Sequence, residues 1–272
     1  MKNIYSKLPQ NLVQLIKFDD VNEITLRANK RVVVKRDNKY LGVDYVTAQA
    51  EVENILKKFC DLSVYAYIDE LKKGFVTIEG GHRIGVCGTG VLKDNEIHNI
   101  KNINSLNIRV AHEINGCSDK LGFCYGSLLV ISPPGCGKTT MIRDLCRSIG
   151  KKNKVSIVDE RGEIAGVHKG TSCFDIGDMT DVLSLVPKEV GIEYVLRTMS
   201  PEYIVTDEIS FSDCQAIGRA LSYGVHIIAT AHGNNIDETL LRTGLNKKYF
   251  NKIVLLSNKK GIGTIEEELF ND

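Results

Sequence analysis

The sequence predicts an α/β protein in two parts, a smaller α+β unit followed by a mostly parallel sheet covered by helices. Apolar runs without alternation recur in the second half of the chain, and helical patterns separate them. Such runs are typical of parallel strands that are buried on both faces. The runs span residues 127–132, 155–158, 203–206 and 226–229. We expect two domains, which cover residues 1–118 and 119–272.

The overall composition excludes several classes of protein. Of the 272 residues, 43% are hydrophobic and 25% are charged, which is typical of a globular chain and excludes a disordered or collagen-like one. The 35 Lys and Arg residues against 34 Asp and Glu residues leave a formal net charge of +1, which argues against a wholly basic surface. No apolar run approaches the roughly 18 residues of a membrane span, and no signal peptide begins the chain. We therefore expect a soluble, cytoplasmic protein.

Eight cysteines are scattered along the chain, and no two of them form a Cys-x-x-Cys pair. That spacing is typical neither of a zinc site nor of a redox pair, so we expect reduced thiols in a cytosolic protein. The cysteines are Cys60, Cys87, Cys117, Cys124, Cys136, Cys146, Cys173 and Cys214.

Two strand pairs are predicted in the first half. Residues 23–28 alternate polar and apolar side chains, as a half-buried strand does, and the β-branched residues at 31–35 supply its partner. Residues 75–79 and 83–87 flank a Gly-Gly pair, and this arrangement predicts a hairpin.

Two helices are predicted between these strand pairs. Thr47 can cap a helix that runs to about Lys58, because a threonine hydroxyl accepts a hydrogen bond from the first turn. Ser63 can cap a second helix that ends near Lys72, where Gly74 provides the C-terminal stop. The first half is therefore predicted to be a small α+β domain.

A phosphate-binding loop follows the first strand of the second half. Residues 132–140 have the sequence Ser-Pro-Pro-Gly-Cys-Gly-Lys-Thr-Thr and open a helix that runs to about Ile149. In a P-loop, backbone N–H groups surround phosphate oxygens, the lysine reaches the β- and γ-phosphates, and the next hydroxyl ligates Mg²⁺. Lys138 and Thr139 take these positions, while Ser132 departs from the glycine of the strict pattern. The predicted nucleotide contacts are Pro134, Gly135, Cys136, Gly137, Lys138, Thr139 and Thr140.

Acidic residues follow two other buried strands. Asp207 is suited to hold Mg²⁺ through water, and Glu208 is suited to orient or deprotonate the attacking water. At the second strand end, Glu160 is a further carboxylate for the γ-phosphate, and Arg161 is expected to position it. Asp207 and Thr139 are therefore the predicted metal ligands.

The last of these strands leads to Thr230 and His232. Ligands of open parallel sheets bind beyond the carboxyl ends of the strands, so both residues are expected at the same edge as the P-loop. His232 is predicted to sense the γ-phosphate. Four strand ends that converge on one site predict an NTPase.

Arginine is suited to neutralise phosphate charge, because its planar guanidinium binds two oxygens at once. Four arginines are candidates for this role, either within one chain or from a neighbouring copy. They are Arg83, Arg161, Arg197 and Arg219.

With these motifs in place, the chain resembles the stage III sporulation protein AA family over essentially its whole length. These are P-loop ATPases of endospore-forming bacteria, related to the ring ATPases of type II and type IV secretion. The stretches that carry the resemblance are residues 63–67, 74–85, 106–110, 132–140, 155–165 and 200–208.

The resemblance implies a RecA-like P-loop domain that binds ATP and Mg²⁺. It places Glu160 in an acidic box, Asp207 and Glu208 in Walker B, and His232 in a histidine box, with Arg197 and Arg83 near the nucleotide. Many secretion ATPases have Gly-Glu where this chain has Asp207-Glu208, so the division of catalytic roles between Glu160 and Glu208 stays open.

The resemblance also implies partners and a location. It suggests a homo-oligomer, namely a hexameric ring, that acts on membrane-embedded components of the sporulation channel. The ring would be cytoplasmic and peripheral to the membrane, on the mother-cell side.

Two other functions stay open at this point. One is a nucleic-acid-associated P-loop NTPase, which the near-neutral charge, the 7% aromatic content and the absence of tryptophan disfavour. The other is a small-molecule kinase, which would need a lid and an acceptor pocket. We expect ATP hydrolysis and no stable nucleic-acid partner.

Overall fold

The computed structural model describes residues 2–16, 21–36, 39–122 and 125–271. They form two compact units: Met1–Ala111 with His168–Cys173, and His112–Val167 with Phe174–Asp272. The predicted boundary between residues 118 and 119 stays a prediction. Cys124 lies outside the described residues, and the other seven cysteines are free thiols. Among the described residues, no helix is long and apolar enough to span a membrane.

The first unit is built on a six-stranded antiparallel sheet. Its strands are β1 (Glu23–Arg27), β2 (Lys30–Arg36), β3 (Lys39–Thr47), β4 (Phe75–Ile78), β5 (His82–Lys93) and β6 (Glu96–Arg109). Its helices are α1 (Lys2–Tyr5), α2 (Gln10–Leu15), α3 (Gln49–Phe59) and α4 (Ile68–Lys72). The strand order is β3-β2-β1-β6-β5-β4, and the outer part of the β5–β6 hairpin extends beyond the pairing of β6 with β1.

The core of this unit lies between α3 and the sheet. Apolar residues at helical spacing give α3 one buried face. These residues are Val52, Ile55, Leu56 and Phe59, and they share a core with Ile24, Leu26, Ile84 and Ile108. Each fully buried side chain of this size contributes about 1.5–3 kcal/mol relative to an exposed one.

A short segment from the second half of the chain completes the first unit. Residues His168 and Thr171 pair across an isolated β-bridge. His168 Nδ1 lies 3.1 Å from the Thr77 carbonyl oxygen, and Lys169 Nζ lies 2.9 Å from Asp61 Oδ2. The segment is therefore attached to the first unit by polar contacts.

The second unit is built on a seven-stranded sheet. Its strands are β7 (Leu128–Ser132), β8 (Val155–Asp159), β9 (Thr180–Ser184), β10 (Tyr203–Glu208), β11 (His226–His232), β12 (Lys252–Ser257) and β13 (Thr264–Phe270). Its helices are α5 (Lys138–Ile149), α6 (Lys188–Thr198), α7 (Cys214–Ser222) and α8 (Ile236–Thr243). The strand order is β13-β12-β7-β11-β10-β8-β9. All neighbours are parallel except β12 and β13.

The predicted α/β class and its parallel sheet are confirmed. β7, β8, β10 and β11 correspond to the four predicted apolar runs, and they are adjacent in the sheet in the order β7-β11-β10-β8. Their residues are almost entirely buried. The carboxyl ends of these four parallel strands therefore meet at one edge.

Both predicted helix caps in the first half are wrong. Thr47 pairs with Lys30 as the last residue of β3, so α3 begins one residue later and Ala48 is its N-cap. The side chain of Ser63 makes no capping hydrogen bond, because a 3-10 turn at Val64–Tyr67 precedes α4. The hairpin between β4 and β5 is confirmed, and Gly74 follows α4 with a φ of 84°.

Candidate nucleotide site

The loop between β7 and α5 has the backbone of a phosphate-binding turn. Gly135 and Gly137 have φ values of 77° and 87°, a left-handed conformation that glycine adopts without steric cost. A Cβ atom at Gly135 would meet no atom within 4 Å. Consecutive backbone N–H groups in such a turn form a concavity that binds anions.

Lys138 lies at the first position of α5 and is almost fully buried. Its Nζ lies 2.9 Å from the Ser132 carbonyl oxygen and 3.3 Å from that of Pro133. It also lies 3.0 Å from His232 Nδ1. Burial lowers the pKa of Lys138 to about 8, against the opposing effect of Glu208. The amine is thus held beneath the loop by the loop's own oxygens.

A chain of polar contacts runs from Lys138 across the strand ends. His232, at the end of β11, places Nε2 3.1 Å from Glu208 Oε2. Arg161 Nη1 lies 2.8 Å from the same oxygen. Arg161 was expected to position Glu160, and this expectation is wrong, because its guanidinium pairs with Glu208. The predicted convergence of His232, Glu208 and Lys138 is thus found directly in their contacts.

A second cluster joins the ends of β8 and β10 through a residue that sequence reasoning missed. The Nζ of Lys188, the first residue of α6, lies 2.5 Å from Glu160 Oε2 and 3.1 Å from Asp207 Oδ1. Asp207 Oδ2 accepts a hydrogen bond from the backbone N–H of Arg161 at 3.3 Å. Burial raises the pKa of Asp207 to about 6, although Lys188 acts in the opposite direction.

Asp159 stabilises the loop that follows β8. It is fully buried, and its carboxylate accepts hydrogen bonds from the backbone N–H groups of Glu163, Ile164 and Ala165 at 2.9–3.0 Å. Burial raises its pKa. Asp159 therefore fixes the loop that follows β8 and carries Glu160 and Arg161.

The remaining arginines lie elsewhere. Arg197 and Arg219 both pair with Glu193, at 3.4 Å and 2.7 Å. They line a groove of about 660 Å³ between α6 and α7. Arg83 belongs to the first unit, where its guanidinium lies 3.5 Å from the centre of the Phe75 ring. Within the described part of the second unit, neither Arg197 nor Arg219 is among the contacts of Lys138.

The donor atoms present fit a magnesium ion that arrives with a nucleotide. Asp207 Oδ1 is buried, and its contact among the described residues is the ion pair with Lys188 Nζ at 3.1 Å. Thr139, in the first turn of α5, supplies a hydroxyl. Among the described residues, no group of three or more His, Cys, Asp or Glu side chains forms a metal site alone. Mg²⁺ is typically held by one or two carboxylates together with substrate phosphates.

The fold of the second unit is that of the RecA-like P-loop NTPases, with Lys138, His232 and Glu208 brought together at the carboxyl ends of its strands. Residues 3–271 match the model of the family described as Sporulation stage III, protein AA. The chain belongs to that family, and the resemblance found in the sequence is confirmed.

Two relatives bear on this assignment. The chain is 36% identical to stage III sporulation protein AA of Bacillus subtilis (strain 168) over 283 aligned positions, which cover 98% of this chain and 91% of that protein. It is also 36% identical to the protein SEEDLING PLASTID DEVELOPMENT 1 of Arabidopsis thaliana over 127 positions, which cover 44% of this chain and 18% of that protein. The similarity to the first relative thus spans the whole chain.

Two solved structures share the fold. The pilus retraction motor PilT, with bound ADP, is similar with a TM-score of 0.65 at 16% identity, over 97% of this chain and 82% of that one. The ATPase DotB of Yersinia pseudotuberculosis is similar with a TM-score of 0.62 at 13% identity, over 92% of this chain and 75% of that one. At such low identity the likeness concerns the fold.

Proposed function

We propose that this chain is a Mg²⁺-dependent ATPase that couples ATP hydrolysis to conformational work in a membrane-associated complex. The observation that carries this proposal is the contact chain Lys138–His232–Glu208, which crosses the carboxyl ends of adjacent parallel strands. Ligands of parallel sheets bind at this edge. Membership of the sporulation family supports the channel between mother cell and forespore as the complex on which it acts.

Each part of the site has a proposed role. Backbone N–H groups of residues 134–140 bind the phosphates, and the amine of Lys138 exchanges its contacts with Ser132 and Pro133 for phosphate oxygens. Thr139 and Asp207 hold Mg²⁺, which neutralises phosphate charge when bound. Glu208 and Glu160 are the candidates for orienting the attacking water.

The remaining proposals concern the assembly. His232 links the phosphate loop to Glu208 and thereby senses whether the γ-phosphate is present. Arg197 and Arg83 are proposed to neutralise phosphate charge in a hexameric ring. Such a ring would be cytoplasmic and would bind the membrane-embedded channel peripherally. The use of ATP is supported by the solved structures of similar fold, an ATPase and a motor with bound ADP. The ring is supported by the family resemblance.

The proposal is tested by nucleotide binding and phosphate release in two variants. Lys138→Ala removes the amine beneath the loop and is expected to weaken binding of a fluorescent ATP analogue and to abolish phosphate release. Lys151→Ala, an exposed lysine in the loop after α5, is the matched control and should behave as wild type. Full activity of Lys138→Ala would contradict the proposed site. Binding that depends steeply on salt and on added RNA or DNA would favour a nucleic-acid-associated NTPase instead.

A further inference from the structure

Lys188 is a buried lysine in a position that is unfavourable for a positive charge. It begins α6 directly after Pro187, and the N-terminus of a helix carries a partial positive charge that repels cations. The whole residue is only 5% exposed. Lysine is almost never buried to this extent unless it is paired.

Two carboxylates offset the cost of burying the positive charge of Lys188. Glu160 is 40% exposed and Asp207 is 6% exposed at the side chain, and the ammonium of Lys188 lies between them. Burial opposes the charged form of Lys188, but Asp207 and Glu160 outweigh it and raise the pKa. The ammonium therefore bridges an inner and an outer carboxylate.

The Lys188 ammonium holds the carboxylates of Glu160 and Asp207 in a fixed relative position. Asp159, at the end of β8, directly precedes Glu160, while Asp207 lies in β10, and these two strands are paired in the sheet. Asp207 is held at both oxygens, by Lys188 at one and by the Arg161 N–H at the other. Without this ion pair the partly exposed Glu160 side chain would adopt several rotamers. Fixing a glutamate costs much side-chain entropy, which the ion pair offsets.

We propose that Lys188 is a positioning residue for the magnesium-dependent step. It holds the carboxylates of Asp207 and Glu160 in the arrangement that receives the Mg²⁺ ion accompanying the nucleotide. The proposal rests on the proposed ATPase function. Lys188 acts through the carboxylates and does not bind the phosphates. Loss of a residue that orients metal ligands in this way typically lowers metal affinity or activity by about 10- to 100-fold.

The test separates nucleotide binding from its magnesium dependence. Binding of a fluorescent ADP analogue is measured in EDTA and in Mg²⁺ for wild type and Lys188→Met, which removes the charge at similar side-chain length. We expect the affinity in EDTA to stay within about twofold, because the phosphate loop is untouched, and the gain in affinity from Mg²⁺ to fall at least about tenfold. The kcat for Mg-ATP should fall by a similar factor, and Lys188→Arg should recover part of both losses.

Lys252→Met is the matched control. Lys252 is also a buried lysine of the second unit that pairs with a glutamate, with its Nζ 2.7 Å from Glu268 Oε1. It lies in β12, and we expect its loss to lower stability while the magnesium effect stays intact. If Lys188→Met does not fold because it leaves carboxylates unpaired, the double variant Lys188→Met with Glu160→Gln removes one of those charges. It should still lack the gain from Mg²⁺.

The outcomes are distinguishable. A full magnesium effect in Lys188→Met, or in the double variant, would overturn the positioning role alone. Loss of affinity in EDTA as well would show that Lys188 shapes the phosphate loop, which also overturns it. A wild-type protein that binds no nucleotide would overturn the proposed function and, with it, this inference.

Discussion

Both glutamates that are candidates for orienting the attacking water are paired with a basic side chain. Glu208 pairs with Arg161 and His232, and Glu160 pairs with Lys188. Charge-assisted contacts of this kind are shorter and stronger than neutral ones. The two glutamates are therefore held by different cations, and Glu208 is the one in direct contact with His232, which in turn contacts Lys138.

This separation predicts unequal effects of two substitutions. Glu208→Gln and Glu160→Gln should both bind ATP, and Glu208→Gln should lower kcat more, by about 10²–10⁴-fold, the usual contribution of a general base. Single-turnover phosphate release with bound ATP checks this directly. Equal activity of Glu208→Gln and wild type would assign the water-orienting role to Glu160.

Asp144 links the P-loop helix to the segment before β7. Its carboxylate accepts hydrogen bonds from Ser118 N and Oγ at 2.8 Å and 2.7 Å, and from Gly116 N at 3.0 Å. Arg147 pairs with it at 2.7 Å. Burial disfavours the charged form of Asp144, but these hydrogen-bond donors outweigh that effect and lower the pKa of Asp144 to about 2.

The lowered pKa predicts a pH dependence of stability. The unfolded chain has an Asp pKa of about 3.9, so this stabilisation is fully present above about pH 4 and is lost as the pH falls towards about 2. Its size is at most about 2.6 kcal/mol. Urea unfolding of Asp144→Asn should show lower stability at pH 7 and a weaker acid dependence than wild type. An unchanged acid dependence would contradict the assignment.

At the scale of the element, the phosphate loop depends on its glycine backbone. Gly135→Ala forces alanine into a left-handed conformation, which costs roughly 1–2 kcal/mol, and should weaken nucleotide binding. Gly218→Ala, inside α7 and with its nearest atom, Tyr249 Oη, at 3.7 Å, should instead add about 0.5–1 kcal/mol of stability. Thermal unfolding and fluorescent ATP binding measure both. Unchanged binding by Gly135→Ala would contradict the loop's proposed role.

The elements predicted from the sequence are those with a strong local pattern. β7 and α5 were predicted because a buried apolar run leads into a glycine-rich turn and a helix. β6 was not predicted because it is rich in polar residues and, of its side chains, Leu106 and Ile108 are the buried ones, so no apolar run marks it. β9 is half-buried along its length, and edge strands of this kind have no clear period. The segment His168–Cys173 depends on contacts with distant residues, which local pattern does not encode.

The residues of the candidate site that directly follow predicted parallel strands could be predicted from the sequence. Lys138, His232 and Glu208 follow from motif and sheet edge together, because parallel strands bring their ends to one place. Lys188 follows β9, a parallel edge strand that was not predicted from the sequence, and it belongs to no recognised motif. The signal that could have found it is a lysine at a helix start after proline, where a positive charge is unfavourable without a carboxylate nearby.

At the scale of the whole molecule, the proposed ring predicts that subunits depend on one another. Mixing wild type with Arg197→Ala subunits should lower ATPase activity by more than the fraction of mutant. Arg31→Ala, which loses only an exposed ion pair with Asp44, is the control and should leave activity proportional to total protein. A linear decrease with the fraction of Arg197→Ala would argue for independent subunits.

We propose that this P-loop hydrolyses Mg-ATP in an assembly of copies. The most direct measurement is phosphate release per subunit across a range of protein concentrations, with Lys138→Ala measured in parallel. We expect a specific activity that rises with protein concentration to a plateau and is absent in Lys138→Ala. Release no greater than that of Lys138→Ala at every concentration, from protein that binds ATP, would contradict it.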